Sequence, residues 1–90
     1  MSVKVNINPS LTYLTDGEES IDVEGNDVGQ CLKQVVARFP ELRGSLFGKD
    51  GKLDNHVDIY VNMESAYPEE LAKPVNDGDE IYIIAQVAGG

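Results

Sequence analysis

Asp27-Val28-Gly29-Gln30-Cys31-Leu32-Lys33-Gln34-Val35-Val36-Ala37-Arg38-Phe39-Pro40 is the one long stretch in which apolar residues return with a helical period. Val28, Cys31, Leu32, Val35, Val36 and Phe39 fall at i, i+3, i+4, i+7, i+8 and i+11 and so line one face of a helix. Asp27 is placed to cap the first turn, and Gln30, three residues on, to reach back in the manner of a capping box. Pro40 closes the helix, because the residue before a proline is pushed out of helical angles. Leu42, Leu46 and Phe47 form one further helical turn. Cys31 lies on the apolar stripe, which predicts a buried, inert thiol.

On both sides of this helix the period drops to two. Val3, Val5 and Ile7 alternate with Ser2, Lys4 and Asn6, and Pro9 ends that strand by removing a backbone donor. Asp16-Gly17 marks a turn in a loose connection, after which Ile21 and Val23 alternate with Ser20, Asp22 and Glu24 as a second strand. Beyond the helix, Gly48 to Asn55 is a polar, glycine-containing loop. Val57, Ile59 and Val61 then alternate with Asp58, Tyr60 and Asn62 as a third strand. Residues 63–74 have no clear period, with Leu71 packing inward. Asn76-Asp77-Gly78-Asp79 is a turn, and Glu80 to Gln86 form a last strand with Ile81 and Ile83 on one face and Tyr82 and Ile84 on the other. The order strand, strand, helix, strand, strand predicts an α+β roll whose sheet is covered by one main helix and open on its other face.

Ninety residues make one domain. The chain carries 16 acidic against 7 basic residues, a formal net charge of −9. Nucleic-acid binding needs a basic footprint, and an acidic membrane surface would repel this chain, so both are excluded as expectations. The acidic groups run from Asp16 to Glu80, a solvated surface that also steers toward a basic partner. A single cysteine allows no intrachain disulfide and no cysteine-based zinc site. No stretch approaches the roughly 18 apolar residues of a membrane span, and residues 1–8 lack the pattern of a secretory signal, so the expected location is the cytoplasm.

The catalytic motifs are weak. His56 stands alone near Asp54 and Asp58, with neither a nucleophile nor further histidines, and reads as a loop histidine. Asp77-Gly78-Asp79-Glu80 lacks calcium-loop spacing, and Gly48-Lys49-Asp50-Gly51 lacks the spacing of a phosphate loop. No metal and no bound cofactor is expected.

After the last strand come Val87, Ala88, Gly89 and Gly90. A glycine pair at this position arises by chance in roughly one chain in 200. Glycines add nothing to a core, but they let a backbone enter a narrow channel at angles closed to other residues. A glycine carbonyl also has no side chain to hinder attack. The chain is therefore read as a domain over residues 1–86 and a flexible tail over residues 87–90.

Gly51-Lys52-Leu53, Val57-Asp58-Ile59-Tyr60-Val61-Asn62, Asn76-Asp77-Gly78-Asp79 and Val87-Ala88-Gly89-Gly90 together resemble the MoaD/ThiS family, ubiquitin-like sulfur carriers with a β-grasp fold. Within that family the Gly-Lys-Leu, Val-x-Ile-Tyr-Val-Asn and Val-Ala-Gly-Gly segments look closest to the carrier of a thiocarboxylate route to cysteine. One departure stands out: Ala85-Gln86 occupy positions just before the last four residues where many members carry proline. The resemblance implies a carrier rather than an enzyme. Its Gly90 would be adenylated by an E1-like adenylyltransferase and sulfurtransferase that consumes ATP, then converted to a thiocarboxylate. A sulfur-accepting enzyme would receive the sulfur: a pyridoxal-phosphate cysteine synthase, or the large subunit of molybdopterin synthase if this chain is that enzyme's small subunit. A third alternative is a protein modifier whose Gly90 is joined to lysines. Val87, Ala88 and Gly89 would enter the partner's site. Strand parity puts Tyr60, Tyr82 and Ile84 on the face away from the helix, where ubiquitin-like folds use a docking patch.

Overall fold

The strand-helix-strand reading is realised as a five-stranded mixed sheet wrapped over one helix. The structure, a computed structural model, describes residues 2–85. Met1 and residues 86–90 fall outside the described residues, and so do the end of the last strand at Gln86, the boundary after residue 86 and the tail Val87, Ala88, Gly89 and Gly90. The strands are β1 (Ser2–Asn6), β2 (Ser20–Glu24), β3 (Val57–Val61), β4 (Glu64–Ser65) and β5 (Glu80–Ala85), and the helices are α1 (Val28–Arg38) and α2 (Arg43–Leu46). Spatial order is β2-β1-β5-β3-β4. β1 runs parallel to β5, and every other pair is antiparallel. The chain's first and last described strands thus lie side by side at the sheet's centre.

Helix α1 begins where its sequence says it should. The Asp27 side chain accepts a hydrogen bond from the Gln30 amide at 2.8 Å. The Gln30 Oε1 in turn accepts from the amide of Asn26 at 2.8 Å, one residue before the cap. Val28, Cys31, Leu32, Val35 and Val36 are buried, while Phe39 caps the C-terminus half-buried. They pack on the sheet face formed by Val3, Val5, Ile21, Val23, Val57, Ile59, Val61, Ile81 and Ile83. Each fully buried Val or Leu stabilises the fold by about 1.5–3 kcal/mol, so this one stripe is a principal reason the sheet folds around α1. Leu42 and Leu46 close the core from a 3-10 turn over Pro40–Leu42 and from α2.

Three elements go beyond the sequence reading. The connection after β1 contains a 3-10 helix, Pro9–Leu14, that buries Leu11. Thr15 beyond it is completely buried, its hydroxyl donating to the Glu18 carbonyl at 2.7 Å. The segment 63–74 holds the edge strand β4 and a 3-10 turn, Glu70–Ala72, with Leu71 half-buried against the core. A two-residue strand is too short to show a period of two, which is why alternation alone does not reveal β4.

A groove on the open sheet face, and the strand that leads to the tail

Alternation along β3 and β5 decides what the open face presents. Ile59, Ile81 and Ile83 point into the core; the intervening Tyr60, Tyr82 and Ile84 must point away from it. Tyr60 and Ile84 are each 39% exposed and Tyr82 is partly covered, as the sequence reading requires. The antiparallel register sets Tyr60 opposite Tyr82 and Asp58 opposite Ile84.

Two further residues complete the groove: Asn62, which the alternation of the third strand includes but which lies beyond the end of β3, and Met63, which strand parity does not find. Val61 pairs with Glu64, so Asn62 and Met63 form the turn between β3 and β4. Asn62 adopts φ 56°, a left-handed conformation that asparagine tolerates better than most residues. Its Oδ1 accepts from the Glu80 amide at 3.0 Å and its Nδ2 donates to Asp79 Oδ1 at 3.2 Å. The turn is therefore tied to the start of β5, and Met63 is held at its tip, 89% exposed. Tyr60, Asn62, Met63, Tyr82 and Ile84 line one shallow, mostly apolar groove. A thioether and two aromatic rings on an open surface are the residue types enriched at protein interfaces.

The rim is acidic. The Glu80 carboxylate accepts from Asn6 Nδ2 at 3.1 Å and from the Tyr82 hydroxyl at 3.3 Å. The negative charge of Glu80 is the main reason the Tyr82 phenol is pushed above its ordinary pKa, partial desolvation and the hydrogen bond adding to it. Tyr82 thus stays neutral and offers an apolar ring with a polar edge.

The other candidate groups do not assemble. His56 Nδ1 and its backbone amide both lie 2.9 Å from Asp54 Oδ1 in an exposed loop, and these hydrogen bonds, the backbone one first, hold the Asp54 carboxyl below its ordinary range. Cys31 is buried, and desolvation, with Asp27 nearby, raises its thiol pKa. Among the described residues no cluster of His, Cys, Asp or Glu could hold a metal ion, and no helix is long and apolar enough to cross a membrane.

What distinguishes the groove is its position on β5, the strand that leads directly to Val87-Ala88-Gly89-Gly90. Similarity to known proteins follows the same segment to its end. The chain is 33% identical to the sulfur carrier protein CysO of Mycobacterium tuberculosis over 93 aligned positions, covering all of both chains. It is 35% identical over 71 positions to small archaeal modifier protein 1 of Haloferax volcanii, covering 78% of each. Its fold superposes on the CysO-containing complex BexX/CysO of Amycolatopsis orientalis with a TM-score of 0.88, at 32% identity and over 98% of this chain and 99% of that one. The fold is accordingly the ubiquitin-like β-grasp, and these relatives are named as carriers and modifiers, not as catalysts. The ThiS family model matches residues 5–90, and the chain belongs to the ThiS family.

Proposed function

We propose that this chain is a sulfur carrier whose working atom is the carboxyl carbon of Gly90, and that it serves cysteine synthesis. One observation carries the reading: the full-length match to CysO runs through Val87-Ala88-Gly89-Gly90. A carboxylate is a poor electrophile. An E1-like partner would use ATP to make the Gly90 acyl-adenylate with release of pyrophosphate, and sulfide would then displace AMP; a persulfide donor would instead form an acyl disulfide, which a second thiol of the donor must cleave, leaving with the donor sulfur as a disulfide. The product, a Gly90 thiocarboxylate, is nucleophilic yet tethered, so its sulfur goes only to the enzyme on which the carrier docks. This mechanism asks for no general base on the chain. It asks for a docking surface and an unhindered terminal carbonyl; the Tyr60–Tyr82–Ile84 groove and Gly89-Gly90 meet those two needs. For the cysteine route the acceptor would be a pyridoxal-phosphate enzyme.

The test is intact mass of the protein isolated from its native host. Replacement of one oxygen by sulfur adds about 16 Da, and a further cysteine adduct identifies the cysteine route. Deleting Gly90, or adding one residue beyond it, abolishes the mass gain and leaves the unfolding midpoint unchanged. Normal thiocarboxylate formation by either variant would refute the proposal.

The similarity to small archaeal modifier protein 1 favours a second reading, attachment of Gly90 to lysines. Ladders of higher-mass species joined through a Gly90 isopeptide would support it over the carrier.

A further inference from the structure

β5 is a central strand, yet its two neighbours do not accompany it equally far. Pairing with β3 continues to Val57 opposite Ala85, whereas pairing with β1 stops at Asn6 opposite Tyr82. There β1 turns away: the Ile7 amide donates to the Glu19 carbonyl at 2.8 Å, and Pro9 opens the 3-10 helix. The amide of Ala85 is consequently left without a strand partner on the β1 side. A side chain supplies one. Asn8 Oδ1 accepts from the Ala85 amide at 3.3 Å, and Asn8 Nδ2 meets Ser10 Oγ. A backbone amide can only donate, so the Asn8 carboxamide is held with its oxygen toward β5. Asn8 itself has φ −58° and ψ 135°, the extended conformation a following proline enforces, so its side chain projects from a fixed backbone.

We infer that Asn8 is a positioning residue for the terminal carboxylate: its side-chain carbonyl replaces the missing strand beside Ala85 and fixes the point from which residues 86–90 depart. Five residues follow Ala85, so Gly90 can lie no farther than about 18 Å from it, at ~3.6 Å per extended residue. A partner that docks on the groove therefore meets a tail whose origin is set within the same rigid strand. Without the Asn8 bond Ala85 is held only through its pairing with β3, so this end of the strand opens more often and a smaller fraction of docked complexes can react. The role rests on Gly90 being the activated atom.

The experiment compares wild type, Asn8→Ala and Asn8→Asp, the last retaining a carboxyl oxygen at the same place. Amide hydrogen exchange reads the clamp. In Asn8→Ala the Ala85 amide loses about 2- to 10-fold of its protection, the range of one net hydrogen bond, while Ile81 and Ile83 keep theirs; Asn8→Asp restores it. Pyrophosphate release with the E1-like enzyme of the native host reads the function. Asn8→Ala lowers kcat by a similar factor with KM little changed, whereas Tyr82→Thr, a groove variant, raises KM. Unchanged Ala85 protection in Asn8→Ala overturns the clamp. Lost protection with unchanged kcat overturns the positioning role. Absence of pyrophosphate release from wild type takes down the Gly90 reading itself, and the exchange data then still report on the clamp separately.

Discussion

Tyr82 on β5 stands directly opposite Tyr60 on β3, on the sheet face that α1 does not cover. Cross-strand aromatic pairs stabilise a sheet by roughly 0.2–1 kcal/mol relative to small residues, too little to account for one exposed and one half-covered ring on this face. We propose that their use is in association. Tyr60→Thr and Tyr82→Thr replace one strand-favouring residue type by another, so unfolding free energy falls by less than about 1 kcal/mol. If the proposed E1-like partner docks there, KM for adenylation rises about tenfold or more in each, since truncated interface aromatics commonly cost 1–2 kcal/mol or above. Urea titration and pyrophosphate release check the two halves. Unchanged KM in both variants removes the groove from the docking surface.

Most of this face is legible in the sequence because a strand's period is strict. Once Ile81 and Ile83 are assigned to the core, Tyr82 and Ile84 have nowhere else to go, and α1 follows with equal force from its 3.6-residue stripe and the Asp27 cap. Asn62 is read as the end of the third strand rather than as a turn, and Met63 escapes, because a turn has no period. Their places depend on the pairing of Val61 with Glu64 and on bonds from Asn62 to Asp79 and Glu80, residues distant in sequence. Asn8 escapes for the same reason: its partner, Ala85, is 77 positions away. Thr15 is a buried polar residue whose partner, Glu18, is local, but nothing in its type distinguishes it from the half-buried Thr12 three residues earlier.

Asn62 is expected to matter for stability beyond its size. Asn62→Ala removes the acceptor of the Glu80 amide and the donor to Asp79, and leaves a Cβ-bearing residue at φ 56° without the side-chain bonds that favour it. A loss of about 1–3 kcal/mol follows. Asn62→Gly relieves the backbone strain but not the lost bonds, so it should fall between alanine and wild type. Urea unfolding of the three proteins tests the ordering, and an alanine variant as stable as wild type contradicts it.

Gly25 and Cys31 constrain each other where β2 hands over to α1. A Cβ built on Gly25 would stand 2.8 Å from Cys31 Sγ, 3.1 Å from the Cys31 amide nitrogen and 3.1 Å from Gln30 Cβ. Gly25→Ala therefore strains a closely packed junction by about 1–3 kcal/mol. Cys31→Ala opens room on only one of the three sides, so the double variant recovers part of the loss. A double-mutant cycle with strictly additive effects would show that the two do not touch in solution.

The raised pKa of Cys31 has a signed consequence for pH. Burial penalises the thiolate, so the folded chain holds the thiol proton to higher pH than the unfolded chain, whose thiol has its ordinary pKa near 9.0. Between that value and the higher folded one the unfolded state binds fewer protons, and stability falls as pH rises; below it the thiol contributes no slope. Wild type thus loses stability faster than Cys31→Ala above about pH 9. The same burial keeps the native thiol inert to iodoacetamide at neutral pH, with labelling only at the rate of unfolding. Rapid labelling of the native protein would place Cys31 at the surface and defeat both expectations.

The acidic rim predicts how docking responds to salt. On the open face β2 contributes Asp22 and Glu24, β3 contributes Asp58 and β5 contributes Glu80, while Lys4 of β1 lies between Asp22 and Glu80 in the sheet register. With a chain charge of −9 behind them, these groups would draw the basic surface of the proposed partner toward the groove and raise the association rate. Apolar contacts with Tyr60, Met63, Tyr82 and Ile84 would then hold the complex with little dependence on ions. Raising salt from 0.05 M to 0.5 M shortens the screening length from roughly 14 Å to about 4 Å, which lowers the association rate about tenfold or more and leaves dissociation nearly constant. Asp22→Lys, outside the groove, should reproduce the slower association at low salt without altering dissociation. Stopped-flow or surface binding to the E1-like enzyme separates the two rates, and a salt effect confined to dissociation would show that the partner's contacting surface is not basic.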